Sequence, residues 1–117
     1  MGLIMPSAVL TTVGAKTGKP RINPVFYFHD GPDVIVIASN YGNDKNPSWY
    51  YNLKANPRVE IAKNGDGPPM NATEIVDPAE RDRIWALADR AYPLWPDYRR
   101  RAAQSRRTIP IIRLVAA

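Results

Sequence analysis

The sequence predicts an α+β fold: an antiparallel β-barrel with helices at its ends. Three observations carry this prediction. Segments that alternate with period two follow one another across short turn-rich stretches, the pattern of consecutive hairpins. VIVIA at 34–38 is apolar without interruption, as in a strand covered on both faces. The stretches 46–57 and 78–91 carry helix start and stop signals instead of alternation. Together they give the order β-β-β-α-β-β-α-α-β within 117 residues, a single domain spanning 1–117.

Residues 7–13 form the first strand, rich in β-branched side chains, and GAKTGKP at 14–20 turns the chain. Residues 21–29 alternate: Ile22, Phe26 and Phe28 point one way, and Arg21, Asn23, Tyr27 and His29 the other. DGPD at 30–33 is a hairpin turn leading into a third strand at 33–39. In the helix 46–57, Asn46 is a good N-cap and Pro47 suits the first helical position, where its missing N–H costs nothing. Asn56 followed by Pro57 ends that helix, because the residue before proline disfavours the α region. Residues 58–63 alternate with Val59 and Ile61 inward, NGDGPP at 64–69 turns, and 70–76 is the next strand. Asp77, Pro78 and Glu80 supply an N-cap, a first-turn proline and an N3 acid for the helix 78–91. Its inward stripe is Ile84, Trp85, Ala88 and either Ala91 or Tyr92. Pro93 and Pro96 break the chain, a short helix covers 97–104, and 108–115 is the closing strand.

Composition removes several chemistries. Without cysteine there are no disulfides, no thiolate metal sites and no cysteine nucleophile. His29 is the sole histidine, which leaves almost no room for a serine–histidine–acid triad or a multi-histidine centre, and no metal is expected. No apolar run is longer than that at 34–38, far short of the roughly 20 residues a membrane span needs. The start lacks a basic region followed by a long apolar core, so no signal peptide is expected and a cytoplasmic location follows. The net charge of +5 is unevenly placed, with Lys16, Lys19 and Arg21 early and Arg99, Arg100, Arg101, Arg106 and Arg107 late. A basic surface favours phosphates, carboxylate tails, nucleic acid or acidic lipid. The late arginines read equally well as a solvated helix face.

Two motifs carry chemistry. NPSWYYNLKANP, 46–57, packs Trp49, Tyr50, Tyr51 and Asn52 into one short helix. So few turns cannot bury every ring against one neighbour. One face therefore meets a planar ligand, or else the helix plugs a barrel end. LTTVGAKTGKPRINP, 10–24, runs a strand into a glycine turn bearing Lys16 and Lys19 and returns through Arg21 and Asn23-Pro24. Gly14 and Gly18 allow tight geometry in which N–H groups gather as in anion-binding nests. This suits gripping a phosphate or several carboxylates rather than catalysis, although solvated turn charges would look the same. It is not a Walker loop, since the spacing differs and no helix follows.

In order, LTTxGxKTGxPRxNP, ASN-Y-G at 38–42, NPxWYxNLxANPxVxI, a YPxxxxY segment and RTIPIIxL resemble the deazaflavin-dependent nitroreductases and quinone reductases. These are small split β-barrel proteins, similar to FMN-binding barrels, that use coenzyme F420, and the resemblance runs from 9 to 114. It implies a barrel of about six strands flanked by two or three helices. F420 joins a planar deazaflavin to a ribityl chain, a phosphate and an oligoglutamate tail. Such a ligand needs an apolar slot at one end and a cationic groove at the other. The resemblance implies that Lys16, Thr17, Lys19 and Arg21 hold the phosphate and tail, with Arg21 best suited to a bidentate grip. Asn23, Pro24, Phe26, Ala38, Ser39, Asn40 and Gly42 would follow the ribityl chain and ring, with backbone groups on the ring's polar edge. Trp49 and Asn52 would close over the cofactor. Thr11 and Thr12 are read as strand packing, Leu53 and Ala55 as core, Tyr50 and Tyr51 as either core or site with core preferred, and His29 as a strand end.

The implied reaction is hydride transfer from reduced deazaflavin to a quinone, enone or nitro-aromatic acceptor. Ser39, Tyr92 and Tyr98 are the hydroxyls available to stabilise incoming negative charge or supply a proton. AYPLWPDY at 91–98 sets Tyr92, Trp95 and Tyr98 about three residues apart, as an apolar wall for a flat acceptor, shared with Phe26, or as a hydrophobic plug. By that resemblance, Phe26 stands where some relatives carry a tyrosine, Trp95 where another tyrosine is common, and Asn40 where a basic residue or glycine is frequent. Fewer hydroxyls facing the acceptor favours quinones and enones over nitroimidazoles. An FMN-binding split barrel is the alternative cofactor reading. A basic nucleic-acid-binding barrel is a distant third, because the aromatics lie on a helix rather than interleaved with charge on strands. A homodimer and peripheral contact with the inner face of the membrane are left open.

Overall fold

The computed structural model describes residues 6–63 and 67–117. Among these, β1 is Ser7–Val13, β2 Pro20–Asp30, β3 Asp33–Ile37, α1 Ser48–Ala55, β4 Arg58–Ala62, β5 Pro69–Glu74, α2 Pro78–Ala91, α3 Trp95–Gln104 and β6 Ile111–Ala116. The six strands form a closed antiparallel barrel in the order β1-β2-β3-β6-β5-β4, and β4 pairs back onto β1 through Val9–Ala62, Leu10–Ile61 and Thr11–Glu60. Closure removes every sheet edge that a second strand could join. The expected α+β barrel is the observed one. Residues 64–66 of the anticipated NGDGPP turn lie outside the described residues.

The wall made by β3 and β6 separates two hydrophobic clusters. Val34, Val36 and Ala38 of β3 and its exit, with Ile112 and Leu114 of β6, face the barrel interior alongside Leu10, Val25 and Val59. Ile35, Ile37 and Ile111 face outward onto α2 and α3, against Ile84, Trp85, Ala88, Trp95 and Ala102. This is why VIVIA has no polar position: both faces of that strand are covered. Full burial of each such side chain is worth roughly 1.5–3 kcal/mol. Val59 and Ile61 point inward as expected. On β2 the alternation holds, but Val25 and Tyr27 enter the barrel cluster, whereas Ile22 is 70% exposed. Phe28, on the Ile22 side, packs instead beneath the outer helices.

Local signals explain α2 well. Asp77 accepts from the Glu80 N–H at 3.0 Å, and Ile84, Trp85 and Ala88 are buried. The stripe continues through Tyr92 rather than the exposed Ala91. The other face of α2 is stapled to the β2–β3 hairpin by ions. Arg83 grips Asp30 through both its Nη atoms at 3.1 and 2.7 Å, and Arg113 of β6 reaches Asp30 and Asp33. The Arg83 hydrogen bond, helped by Arg113, holds the Asp30 carboxyl down at about 2.

Helix α1 begins later than expected. Pro47, extended at φ −67° and ψ 153°, occupies the N-cap position, and Asn46 does not cap. The Asn46 side chain is engaged elsewhere: its Oδ1 accepts from Arg107 Nε at 2.6 Å. Trp49 and Leu53 plug the barrel, as a lid helix should, but Tyr51 is 53% exposed and Ala55 is also exposed, so neither is core. Tyr50 leans on the barrel cluster and donates to Glu74 Oε1 at 2.6 Å. Between β3 and α1 lies a 3-10 turn, Asn40–Gly42, which has no counterpart in the expected elements.

Candidate functional site: a two-chamber groove

The mouth of the barrel carries two adjoining cavities. The first, about 580 Å³, is bounded by β2, the β3 exit, the start of α1 and α3. The second, about 490 Å³, lies between the β1–β2 turn and α1. Asn23 and Ser48 line both, so the two form one elongated groove.

The second chamber is cationic. Lys16, Thr17, Arg21, Asn23 and Asn52 line it, with Ser48 and Tyr51 from α1. The turn is pinned from within: Gly14 N–H donates to the Lys19 carbonyl at 2.8 Å and Gly18 N–H to the Gly14 carbonyl at 2.9 Å. Gly18, at φ +71°, takes a conformation that other residues adopt at a cost. Asn52, only 8% exposed, ties this turn to the helix. Its Oδ1 accepts from Ala15 N–H at 3.0 Å and its Nδ2 donates to Thr12 Oγ1 at 3.2 Å. The expected nest of free N–H groups is therefore largely engaged inside the turn, and side-chain charge from Lys16 and Arg21 is what the chamber offers. Thr12, read from sequence as packing, is buried and is the far end of this tether.

The first chamber is aromatic and amide-lined. Asn23, Pro24, Phe26, Ser39, Asn40, Trp49, Trp95 and Tyr98 all line it. Phe26 is 37% exposed and meets Tyr92 ring to ring at 5.5 Å. Trp95, Tyr92 and Tyr98 form a mutually tilted cluster with centroids 5.5–6.5 Å apart, within the range where aromatic pairs attract. Burial, and next a hydrogen bond with Tyr92, push the Tyr98 phenol up to about 12.

Four expected site residues do not line either chamber. Lys19 is exposed beside the turn. Ala38 is fully buried; its N–H donates to the Pro110 carbonyl and its own carbonyl accepts from Arg107. Gly42, at φ +75°, is there for close approach: a Cβ would meet the Tyr98 carbonyl oxygen at 2.5 Å and Arg101 Cβ at 2.8 Å. Tyr92 packs against the outer helix cluster and touches the site through Phe26 and Tyr98.

Sequence reasoning missed Ser48 and Tyr51. A helical-face signal existed for both, since 48, 51 and 52 sit at i, i+3 and i+4. It also missed the role of Arg107, which no local pattern announces.

Six antiparallel strands closed into a barrel, with α1 and α3 bordering the groove and α2 packed outside β3 and β6, make this a split β-barrel. The chain matches the F420H(2)-dependent quinone reductase family over residues 2–115 and belongs to it. It is 40% identical over 88 residues to the F420H(2)-dependent quinone reductase Rv1261c of Mycobacterium tuberculosis (strain ATCC 25618 / H37Rv), a match covering 72% of this chain and 57% of that protein. The chain thus spans little more than half the length of that relative. A solved structure described as F420-H2 dependent reductase FDR-A superposes with a TM-score of 0.79 at 35% identity, covering 93% of both chains. Another, described as a domain-swapped dimer, gives a TM-score of 0.80 at 35% identity, covering 93% of this chain and 79% of that one.

Proposed function

We propose that this chain is an F420H2-dependent reductase that passes a hydride from reduced deazaflavin to a quinone, with enones and nitro-aromatics as further acceptors. One observation carries the reading: a chamber with cationic side chains and a chamber with aromatic walls meet at Asn23 and Ser48 as a single groove. That shape and charge order suit a long molecule with a flat ring at one end and phosphate and carboxylates at the other. The family match and the 35%-identical reductase structure support it.

When bound, reduced deazaflavin supplies an obligate hydride donor. The chain's own residues do the rest. Lys16 and Arg21 grip the phosphate and tail carboxylates, Arg21 as a fork, and Thr17 adds a hydroxyl. Lys19 contributes charge from outside the chamber. Asn23, Pro24 and Phe26 bound one side of the ring chamber, with Ser39 and Asn40 on another and Trp49 at its helical side. Trp95 and Tyr98 complete an apolar wall against which a flat acceptor is held over the donor. Tyr98, protonated at neutral pH, donates a hydrogen bond to the acceptor oxygen as negative charge arrives there, and Ser39 offers a second hydroxyl. Tyr92 orients Tyr98 from behind, and Asn52 sets the basic turn instead of touching the ligand.

We place the reaction in the cytoplasm, with lipophilic acceptors reached at the inner membrane face; exposed Phe26 and Tyr41 at the cavity rim support this. A second copy of the chain is a proposed partner, on the strength of the relative described as a domain-swapped dimer. Light scattering of the purified protein reads that state. The test of function is reduction of menadione by F420H2, run against an FMN arm and a nitroimidazole arm. Turnover with F420H2 and menadione is expected; activity with reduced FMN alone would refute the cofactor assignment.

A further inference from the structure

The ring chamber has a wall that should not hold its own shape. Asn40 and Tyr41 have φ of 48° and 58°, followed by Gly42 at 75°. Left-handed backbone costs an L-residue roughly 1–2 kcal/mol, least for Asn and more for an aromatic such as Tyr41. Yet Ser39, Asn40, Tyr41, Lys45 and Asn46, all from this segment, line the chamber.

Within the segment Asn40 Nδ2 donates to the Lys45 carbonyl at 2.8 Å; the densest bracing comes from the far end of the chain. Arg107 Nη1 donates to the Ser39 and Asn43 carbonyls at 2.7 and 2.8 Å, Nη2 donates to the Ala38 carbonyl, and Nε donates to Asn46 Oδ1 at 2.6 Å. All four acceptors are neutral oxygens on one loop. Arg107 is itself fixed by the end of α3. Arg106 is left-handed at φ 57°, its N–H donates to the Ala103 carbonyl, and Arg107 N–H donates to the Ala102 carbonyl at 2.9 Å, a Schellman closure. The fork geometry matters: one ammonium cannot present donors in four directions from this position, whereas a planar guanidinium can.

We infer that Arg107 is a positioning residue for the ring chamber: it clamps the strained 38–46 segment so that Ser39 and Asn46 stay on the cavity wall. Its effect on ligand binding rests on the groove reading above, whereas its hold on the loop does not. Two measurements separate these. The first is hydrogen exchange of the ligand-free protein, wild type against Arg107→Lys, Arg107→Met and Asn46→Ala. The Gly42 and Asn43 amides, bonded to the Ser39 and Asn40 carbonyls, are expected to exchange about tenfold or more faster in both Arg107 variants, the loss of a single charged hydrogen bond being worth that much. Asn46→Ala, which removes one acceptor of four, gives a smaller increase. Amides of β3 and β6 stay as in wild type and report that the barrel is intact; if Arg107→Met loses them, Arg107→Lys decides. The second measurement is F420 affinity by fluorescence, expected to fall about tenfold in both Arg107 variants, with lysine giving no rescue. Unchanged exchange at 42–43 overturns the inference, and so does a lysine variant that restores both exchange and affinity, since charge alone would then suffice. A wild-type protein that fails to bind F420 refutes the proposed function while the exchange result still decides the role of Arg107.

Discussion

Replacing Asn52 by alanine removes the buried side chain that ties α1 to the basic β1–β2 turn and to Thr12, and the two lost bonds differ in consequence. The Ala15 N–H that donates to Oδ1 at 3.0 Å sits on an exposed turn, so water replaces the acceptor and the net loss is about 0.5–1.5 kcal/mol. The Thr12 hydroxyl is 1% exposed and cannot reach water. Leaving it without its partner costs about 1–3 kcal/mol, which puts Asn52→Ala at roughly 2–4 kcal/mol in total. In urea this is a fall in midpoint of roughly 1–2 M at unchanged slope. A Thr12→Val background abolishes the orphaned hydroxyl, so Asn52→Ala there costs only about 1 kcal/mol. The double-mutant cycle should therefore show a coupling of about 1–3 kcal/mol. Additivity within about 0.5 kcal/mol would refute the claim that these residues form one buried tether.

Four further outcomes follow from the same geometry. Gly42→Ala should destabilise by about 2–4 kcal/mol, because the new Cβ strikes the α3 backbone at a left-handed position that glycine alone accepts without strain; thermal denaturation checks it. Arg106→Gly should stabilise by up to about 1 kcal/mol, since φ 57° at a helix C-terminus suits glycine, and a melting temperature that falls would contradict this. The Asp30 carboxyl, held at about 2 against an ordinary 3.8, contributes stability that is present above pH 3.8 and is lost as pH falls through 2; Asp30→Asn should flatten the acid limb of stability against pH between those values. Tyr98→Phe should lower turnover by roughly 10- to 100-fold with cofactor affinity little changed, and wild-type turnover should show no loss from Tyr98 ionisation below pH 10, because its phenol is raised to about 12.

How much of this was legible in the sequence depended on how far each determinant lies from its residue. Asp77, Pro78 and Glu80 sit within four residues of one another, so the start of α2 could be read directly. VIVIA was legible because covering both faces of a strand leaves no position for a polar side chain. Asn46 was misread as a cap because its partner, Arg107, is 61 residues away and nothing near Asn46 reveals that its side chain is engaged. Ala38 and Gly42 sit within a motif that lines the ring chamber at Ser39, Asn40 and Tyr41, yet one faces the barrel core and the other touches α3. Side-chain direction at a strand exit and close backbone approach are tertiary facts, which sequence spacing does not carry. For the same reason the turn glycines suggested free N–H groups where the turn and Asn52 in fact engage most of them.

The groove's two ends make the account measurable in one comparison: the affinity of wild type and of Arg21→Ala for intact F420 and for the same deazaflavin-ribityl unit stripped of its phosphate and glutamates. The account predicts that wild type prefers the intact molecule by roughly 100-fold or more, and that removing Arg21 costs about 10- to 100-fold on the intact ligand alone. Equal affinity for both ligands, or an Arg21 effect of the same size on each, would contradict it.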